Sequence, residues 1–172
     1  MIRHVVLIGL PGSGKTTVGK LLADALKAPF HDVDAIVSRK EGRPISMIFA
    51  EKGEAVFREM ERVEVEAALA GAPAIISPGG GWAAQAGALS SVQQRGLVVY
   101  LKTRPDTAVT RAAPQGNRPV LMGEDPASQM RQLLVDREPF YVLADATVET
   151  DRKAPAKVVE ELVRLARTRA GW

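Results

Sequence analysis

The chain has 172 residues, of which 46% are apolar and 25% charged, values that suit one soluble globular domain with a sizeable core. It has no cysteine and two histidines, which excludes disulfides, thiolate metal sites and a catalytic thiol, and argues against a histidine-rich metal site. The net charge is +3 and 5% of residues are aromatic, which favours a site for polyanions such as ATP over a nucleic-acid surface. With no long apolar run and no signal-peptide pattern, we expect no membrane association and a cytoplasmic location.

The first apolar run, residues 4–8, predicts a strand, and helical spacing predicts a helix over residues 15–27. Between them, Gly9–Thr16 reads GLPGSGKT and fits G-x-x-x-x-G-K-[ST], the phosphate-binding P-loop. Lys15 is expected to reach the β- and γ-phosphates and Thr16 to ligate Mg²⁺. The alternative is a glycine-rich turn with a solvated lysine. The expected ATP-binding residues of this stretch are Gly12, Ser13, Gly14, Lys15, Thr16 and Thr17.

A short second strand, residues 29–33, is expected to deliver Asp32 and Asp34 at its carboxyl end, where ligands bind in open α/β sheets. The third and fourth predicted strands end without a carboxylate. We therefore expect Asp32 to serve the metal, directly or through water, and Asp34 to face the phosphoryl acceptor. The alternative is that Asp34 caps the helix predicted over residues 35–41 and Asp32 is simply exposed.

Pro44 and Gly53 bound a short predicted helix, and a long helix is predicted from Glu54 to Ala70. Its apolar periodicity predicts a buried stripe of Val56, Met60, Val63 and Ala67. Three side chains off that stripe are expected to form one patch, because they are three or four residues apart: Phe57, Arg58 and Glu61. A surface ion pair is the alternative for the two charged members.

The third predicted strand, residues 74–77, runs into Gly79, Gly80 and Gly81. Three glycines after a strand allow a ligand or another backbone to approach closely, although a tight strand-to-helix turn is the alternative. A helix over residues 83–94 and a fourth strand over residues 97–101 follow.

Another helix is predicted over residues 106–112, then a lid-like loop over about 113–124, and a helix from Pro126 that Pro139 perturbs or ends after Arg137. A fifth strand over residues 146–148 and a helix from Pro155 complete the chain. Alternation of strands and helices indicates an α/β fold with a parallel sheet. Three arginines have the chemistry to hold phosphate or carboxylate, with solvent exposure as the alternative: Arg111, Arg118 and Arg137.

Taken together and in order, these stretches resemble the shikimate kinase family, small P-loop kinases related in fold to the nucleoside monophosphate kinases. The resemblance rests on the P-loop, on DVD at 32–34, on FREME at 57–61, on NRPVL at 117–121 and on DREPFY at 136–141. It implies a three-layer P-loop kinase fold with a five-stranded parallel sheet flanked by helices. It also implies one domain over residues 1–172, with a substrate-binding segment at about 33–61 and the lid at about 113–124.

The activity that the resemblance implies is ATP-dependent phosphorylation of the 3-hydroxyl of shikimate, with one Mg²⁺ and a monomeric enzyme, in aromatic amino-acid biosynthesis. The implied catalytic residues are Lys15, Asp34 and Arg118. The implied substrate-binding residues are Asp34, Phe49, Phe57, Arg58, Glu61, Gly79, Gly80, Gly81 and Arg137, with Glu61 orienting Arg58. Thr16 and Asp32 would hold the metal, Arg118 would close onto the phosphates, and adenine would lie among Arg111, Lys153 and Pro155.

The sequence departs from the family pattern at Pro78, at Trp82 after the glycines, and at Lys153, where the family often has arginine. Two other functions remain open. One is a P-loop kinase for another small hydroxylated metabolite such as gluconate. The other is a kinase-like module that binds its ligand without turning it over.

Overall fold

The computed structural model describes residues 1–92, 94–112 and 125–172. Its strands are β1 His4–Ile8, β2 Phe30–Asp32, β3 Ile75–Ser77, β4 Gly96–Lys102 and β5 Ala146–Glu149. Its helices are α1 Lys15–Leu26, α2 Val33–Glu41, α3 Ile45–Lys52, α4 Glu54–Ala70, α5 Ala88–Val92, α6 Pro105–Ala112, α7 Pro126–Tyr141 and α8 Pro155–Arg169, with a 3₁₀ turn at Trp82–Ala84. The predicted lid at 113–124, including Arg118, lies outside the described residues.

The five strands form one parallel sheet in the order β2-β3-β1-β4-β5. The central strand β1 pairs with β3 and β4, so that Val6 lies opposite Ile76 on one side and Val98 on the other. All five residues of β1 are buried, as expected for a parallel strand covered by helices on both faces. The predicted α/β fold with a five-stranded parallel sheet is confirmed.

Alternate residues of β1 point into two hydrophobic cores. Val6 and Ile8 belong to the core that includes residues of α2, α3, α4 and α7. Val5 and Leu7 belong to the core beneath α1 and α8. This period-two division of a fully buried strand produces the three-layer architecture. None of the helices in the described parts of the chain is long and apolar enough to cross a membrane.

The buried face of α4 differs from the predicted stripe. Val56 and Val63 are 41% and 48% exposed, whereas Phe57 is 3% and Glu61 0% exposed. The buried residues are Phe57, Glu61, Val65, Ala68 and Leu69. The prediction was wrong by about one residue, or 100° around the helix, because apolar periodicity assigns a glutamate to solvent and the true face has a glutamate at its centre.

Two helix boundaries also differ from the prediction. The helix predicted over residues 83–94 is instead a 3₁₀ turn and the short α5, separated by Gly87 at φ +77°. Helix α7 continues through Pro139 to Tyr141. The Pro139 ring lacks an N–H, yet the chain remains helical because later amides still bond, as Val142 N–H does to the Glu138 carbonyl at 3.0 Å.

Candidate active site

The P-loop connects β1 to α1 at the carboxyl edge of the sheet. Gly12 and Gly14 have φ of +78° and +94°, a region that side-chain-bearing residues rarely adopt. A Cβ at Gly12 would also lie 2.2 Å from the Ala108 carbonyl oxygen. Buried Lys15 donates from Nζ to the carbonyls of Gly9 and Leu10, both at 2.8 Å. The lysine ammonium therefore lies in the middle of the loop, where a phosphate-binding loop requires it.

A cavity of about 310 Å³ opens beside the P-loop. Seven predicted ATP-binding residues line it, namely Gly12, Ser13, Gly14, Thr17, Arg111, Lys153 and Pro155. Arg111 donates to the carbonyl and the hydroxyl of Thr150, each at 3.2 Å. Sequence reasoning missed Thr150, although its place directly after β5, at the ligand-binding edge of the sheet, was a usable signal.

The two predicted metal-site residues are in contact. Thr16 Oγ1 donates to Asp32 Oδ2 at 2.9 Å, and Asp32 Oδ1 accepts from Ala35 N–H at 3.2 Å as the N-cap of α2. The cap is thus Asp32, and the alternative in which Asp34 caps the helix is wrong. Thr16, Asp32 and Asp34 line a small adjoining cavity of about 30 Å³.

This oxygen-rich donor set fits Mg²⁺, which keeps several waters and takes few protein ligands in phosphoryl-transfer sites. Within the described ranges, no cluster of three or more His, Cys, Asp or Glu side chains could hold a metal by itself. The remaining ligands of a bound ion would therefore be waters and phosphate oxygens.

Glu61 and Arg58 form an ion pair at the other side of the site. Arg58 Nη1 lies 2.9 Å from Glu61 Oε1, and Gly79 N–H donates to Glu61 Oε2 at 3.0 Å. Burial raises the pKa of Glu61 to about 7, with Arg58 opposing the shift and Asp34 adding to it. The pair is not the exposed surface bridge of the alternative reading, because Glu61 is completely buried and joins α4 to the glycine turn.

Charged side chains approach the Gly79–Gly81 turn so closely that an added Cβ would displace them. A Cβ at Gly79 would lie 2.4 Å from a Glu61 oxygen and 2.9 Å from an Asp34 oxygen. A Cβ at Gly81 would lie 2.3 Å from Arg58 Nη2 and 3.0 Å from Arg137 Nη2. The turn thus brings two carboxylates and two guanidinium groups to within a few ångströms of bare backbone.

Two phenylalanines lie next to this charged group. The Phe49 and Phe57 ring centroids are 4.8 Å apart, and the Arg58 guanidinium carbon lies 5.3 Å from the Phe57 centroid. The two predicted residues therefore lie together beside the ion pair, and Phe57 belongs to the buried face of α4.

The Gly79–Gly81 turn and the P-loop are in contact. A Cβ at Gly80 would lie 2.9 Å from Pro11 Cδ of the P-loop and 3.1 Å from Arg137 Nη1. Asp34 lines the small cavity together with Lys15. All predicted site residues within the described ranges fall into these adjoining regions, while the prediction for Arg118 is on a residue outside them.

Comparison with known proteins agrees with this geometry. The family model "Shikimate kinase" matches residues 11–167. The shikimate kinase of Chlorobium chlorochromatii is 42% identical over 93% of this chain and 88% of its own, and that of Mycobacterium avium is 42% identical over 95% and 93%. A solved shikimate kinase from Acinetobacter baumannii in complex with shikimate superposes with a TM-score of 0.92 at 35% identity, covering 98% of this chain and 94% of its own. This chain belongs to the shikimate kinase family.

Proposed function

We propose that this protein transfers the γ-phosphoryl group of ATP to the 3-hydroxyl of shikimate, giving shikimate 3-phosphate and ADP. The observation that carries the proposal is the turn at Gly79–Gly81. It holds Arg58 and Arg137 on one side and Asp34 on the other, directly against the P-loop. A ligand placed there has a carboxylate-binding pair at one end and a phosphate-binding loop at the other.

Arg58 and Arg137 hold the carboxylate of the acid. A guanidinium group presents two N–H donors in the plane of a carboxylate, so that two such groups fix both the position and the orientation of a small ring. Arg58 is itself oriented by Glu61. Phe49 and Phe57 cover the apolar part of the ring.

Asp34 contacts the ring hydroxyls and accepts the proton of the attacking 3-hydroxyl. As this proton leaves, the hydroxyl oxygen bonds to the γ-phosphorus, and the bond from that phosphorus to the β,γ-bridging oxygen breaks. Its position supports this role, since an Asp34 oxygen lies close to Gly79 and to the cavity of the P-loop. In phosphoryl transfer, positioning and charge stabilisation matter more than base strength.

Lys15 and the loop amides stabilise negative charge on the transferring group, and the same role is proposed for Arg118. Thr16 and Asp32 would hold Mg²⁺, which would supply neutralisation of charge on the phosphates. Arg111, Lys153 and Pro155 surround the adenine side of the cavity.

One copy of the described chain supplies both the nucleotide side and the acid side of the site. This supports an enzyme that acts as a single-domain monomer over residues 1–172. Its place is the cytoplasmic synthesis of aromatic amino-acid precursors.

A coupled ADP-release assay with shikimate, quinate and gluconate tests the proposal. We expect turnover with shikimate and none above background with gluconate. Asp34→Asn should lower kcat by about 100-fold or more. The KM for ATP should change by about twofold or less, because the role proposed for Asp34 is at the 3-hydroxyl of shikimate. Asp24→Asn, an exposed aspartate on α1, is the matched control.

Equal turnover with gluconate would assign the chain to another small-metabolite kinase. Calorimetric binding of shikimate without ADP release would indicate a module that binds without turnover. Near-normal kcat in Asp34→Asn would remove the role given to that carboxylate.

A further inference from the structure

We propose that Tyr141 and Gln85, two side chains without an assigned role, are positioning residues. They fix the position of the Gly79–Gly81 turn relative to the Arg137 guanidinium. The inference rests on the proposed function, because it concerns the half of the site that takes the acid. Its consequence is that the affinity for the acid depends on two hydrogen bonds to the carbonyls of the turn.

Each glycine of the turn is bonded by a side chain from a different segment. Glu61 of α4 accepts from Gly79 N–H at 3.0 Å, Tyr141 of α7 donates to the Gly80 carbonyl at 2.5 Å, and Gln85 donates to the Gly81 carbonyl at 3.0 Å. A run of three glycines has more conformational freedom than any other tripeptide. These three bonds restrict that freedom at every residue of the turn.

The position of Tyr141 is unusual for the end of a helix. Among residues 140–143, Tyr141 is fully buried, whereas Phe140, Val142 and Leu143 are exposed at 38%, 58% and 68%. Burial raises the pKa of the Tyr141 phenol to about 12, with Arg137 opposing the shift. The phenol therefore keeps its proton at neutral pH and acts as the donor to the Gly80 carbonyl.

Tyr141 and Arg137 are four residues apart on α7 and so lie on one face of the helix. The helix that presents Arg137 to the acid is thus fastened to the turn that Arg137 approaches, within about one helical turn. Loss of the Tyr141 hydroxyl leaves the buried Gly80 carbonyl without this donor and releases the turn relative to the guanidinium. A displacement of this kind weakens carboxylate binding and leaves the nucleotide cavity unchanged.

The neighbouring Tyr100 provides a matched control. It is 2% exposed, its ring centroid lies 5.0 Å from that of Tyr141, and its hydroxyl donates to Glu138 at 3.2 Å rather than to the turn. Tyr100→Phe therefore removes the same atom from the same cluster without releasing a glycine. Gln132→Leu, at an exposed glutamine of α7, is the corresponding control for Gln85→Leu.

The test measures KM for shikimate, KM for ATP and kcat, together with calorimetric affinity for shikimate, in the wild type and the four variants. We expect Tyr141→Phe to raise KM and Kd for shikimate by about tenfold, the effect of one lost buried hydrogen bond, and Gln85→Leu by about threefold. KM for ATP should stay within about twofold in both, and both controls should resemble the wild type. A structural role alone would lower thermal stability without separating the two KM values.

The inference is overturned if Tyr141→Phe keeps wild-type affinity for shikimate, if it raises both KM values equally, or if Tyr100→Phe has the same effect. If Tyr141→Phe does not fold, an unchanged shikimate KM in Gln85→Leu overturns it. A wild-type enzyme without turnover on shikimate would instead refute the proposed function, so that the two failures are distinguishable.

Discussion

Glu61 has an unusual environment for a carboxylate in this protein. It is fully buried, and it accepts one bond from Arg58 and one from Gly79. Burial disfavours the ionised form, whereas the two donors favour it. Burial prevails and raises the pKa to about 7, so that Glu61 changes charge close to neutral pH.

This pKa predicts a pH-dependent affinity for the acid. Above about pH 7 Glu61 is ionised and orients Arg58; below it, the neutral carboxyl group loses the charge-assisted bond to Arg58. We expect KM for shikimate to rise about fivefold as pH falls from about 8 to about 6, since a charge-assisted bond exceeds a neutral one by about 1 kcal/mol. Steady-state kinetics across this range measure the effect.

Glu61→Gln should have a raised shikimate KM that no longer changes across this range. Glu59→Gln is the control, because Glu59 lies on the same helix and its exposed carboxylate pairs with Arg62. An unaltered pH profile in Glu61→Gln would show that another group titrates.

At the scale of one element, α4 shows the limit of reading a helix from apolar spacing. Its buried face contains Phe57, Glu61 and Val65, and the glutamate belongs there because it bonds to the glycine turn. Such a partner comes from a segment 18 residues further along the chain, so that no local periodicity can reveal it.

The two valines of α4 at positions 63 and 65 test which face is buried. Val65 is 2% exposed and Val63 48%. Val65→Ala should lower the free energy of unfolding by about 2 kcal/mol, through lost apolar burial and a residual cavity. Val63→Ala should change it by about 0.5 kcal/mol or less. Urea denaturation measures both, and equal losses would contradict the observed orientation.

More of the fold than of the site could be predicted from the sequence. The strands and the P-loop have strong local signals, and the five-stranded parallel sheet is confirmed. The contacts of Thr150 and Tyr141 are long-range, since each joins segments at least 39 residues apart. Proline at 139 predicted a perturbed helix or a helix end, and the helix continues beyond it to the buried Tyr141.

For the whole molecule, two groups give opposite pH dependences to stability. His4 is buried at the start of β1, and its Nδ1 accepts from Ala74 N–H at 3.1 Å. Burial lowers the pKa of His4. The contribution of His4 to stability is therefore present above the ordinary histidine pKa and is lost as pH falls. Because the pKa of Glu61 is raised in the folded state, the folded protein binds this proton at a higher pH than the unfolded chain does. The contribution of Glu61 to stability therefore rises as pH falls below about 7.

A His4→Asn variant separates the two contributions, because Glu61 is unchanged in it. An asparagine oxygen can accept from Ala74 without titrating. We expect the wild type to lose about 1 kcal/mol more than His4→Asn between about pH 7.5 and about pH 5, the value of the Ala74 bond that protonation of His4 breaks. Urea denaturation at each pH gives the two free energies of unfolding.

If His4→Asn and the wild type change in parallel, His4 is not the group whose protonation weakens the junction between β1 and the segment leading into β3. If His4→Asn flattens the profile, acid sensitivity originates at the edge of the sheet opposite the P-loop, and the pH dependence of shikimate binding can be measured separately from that of folding.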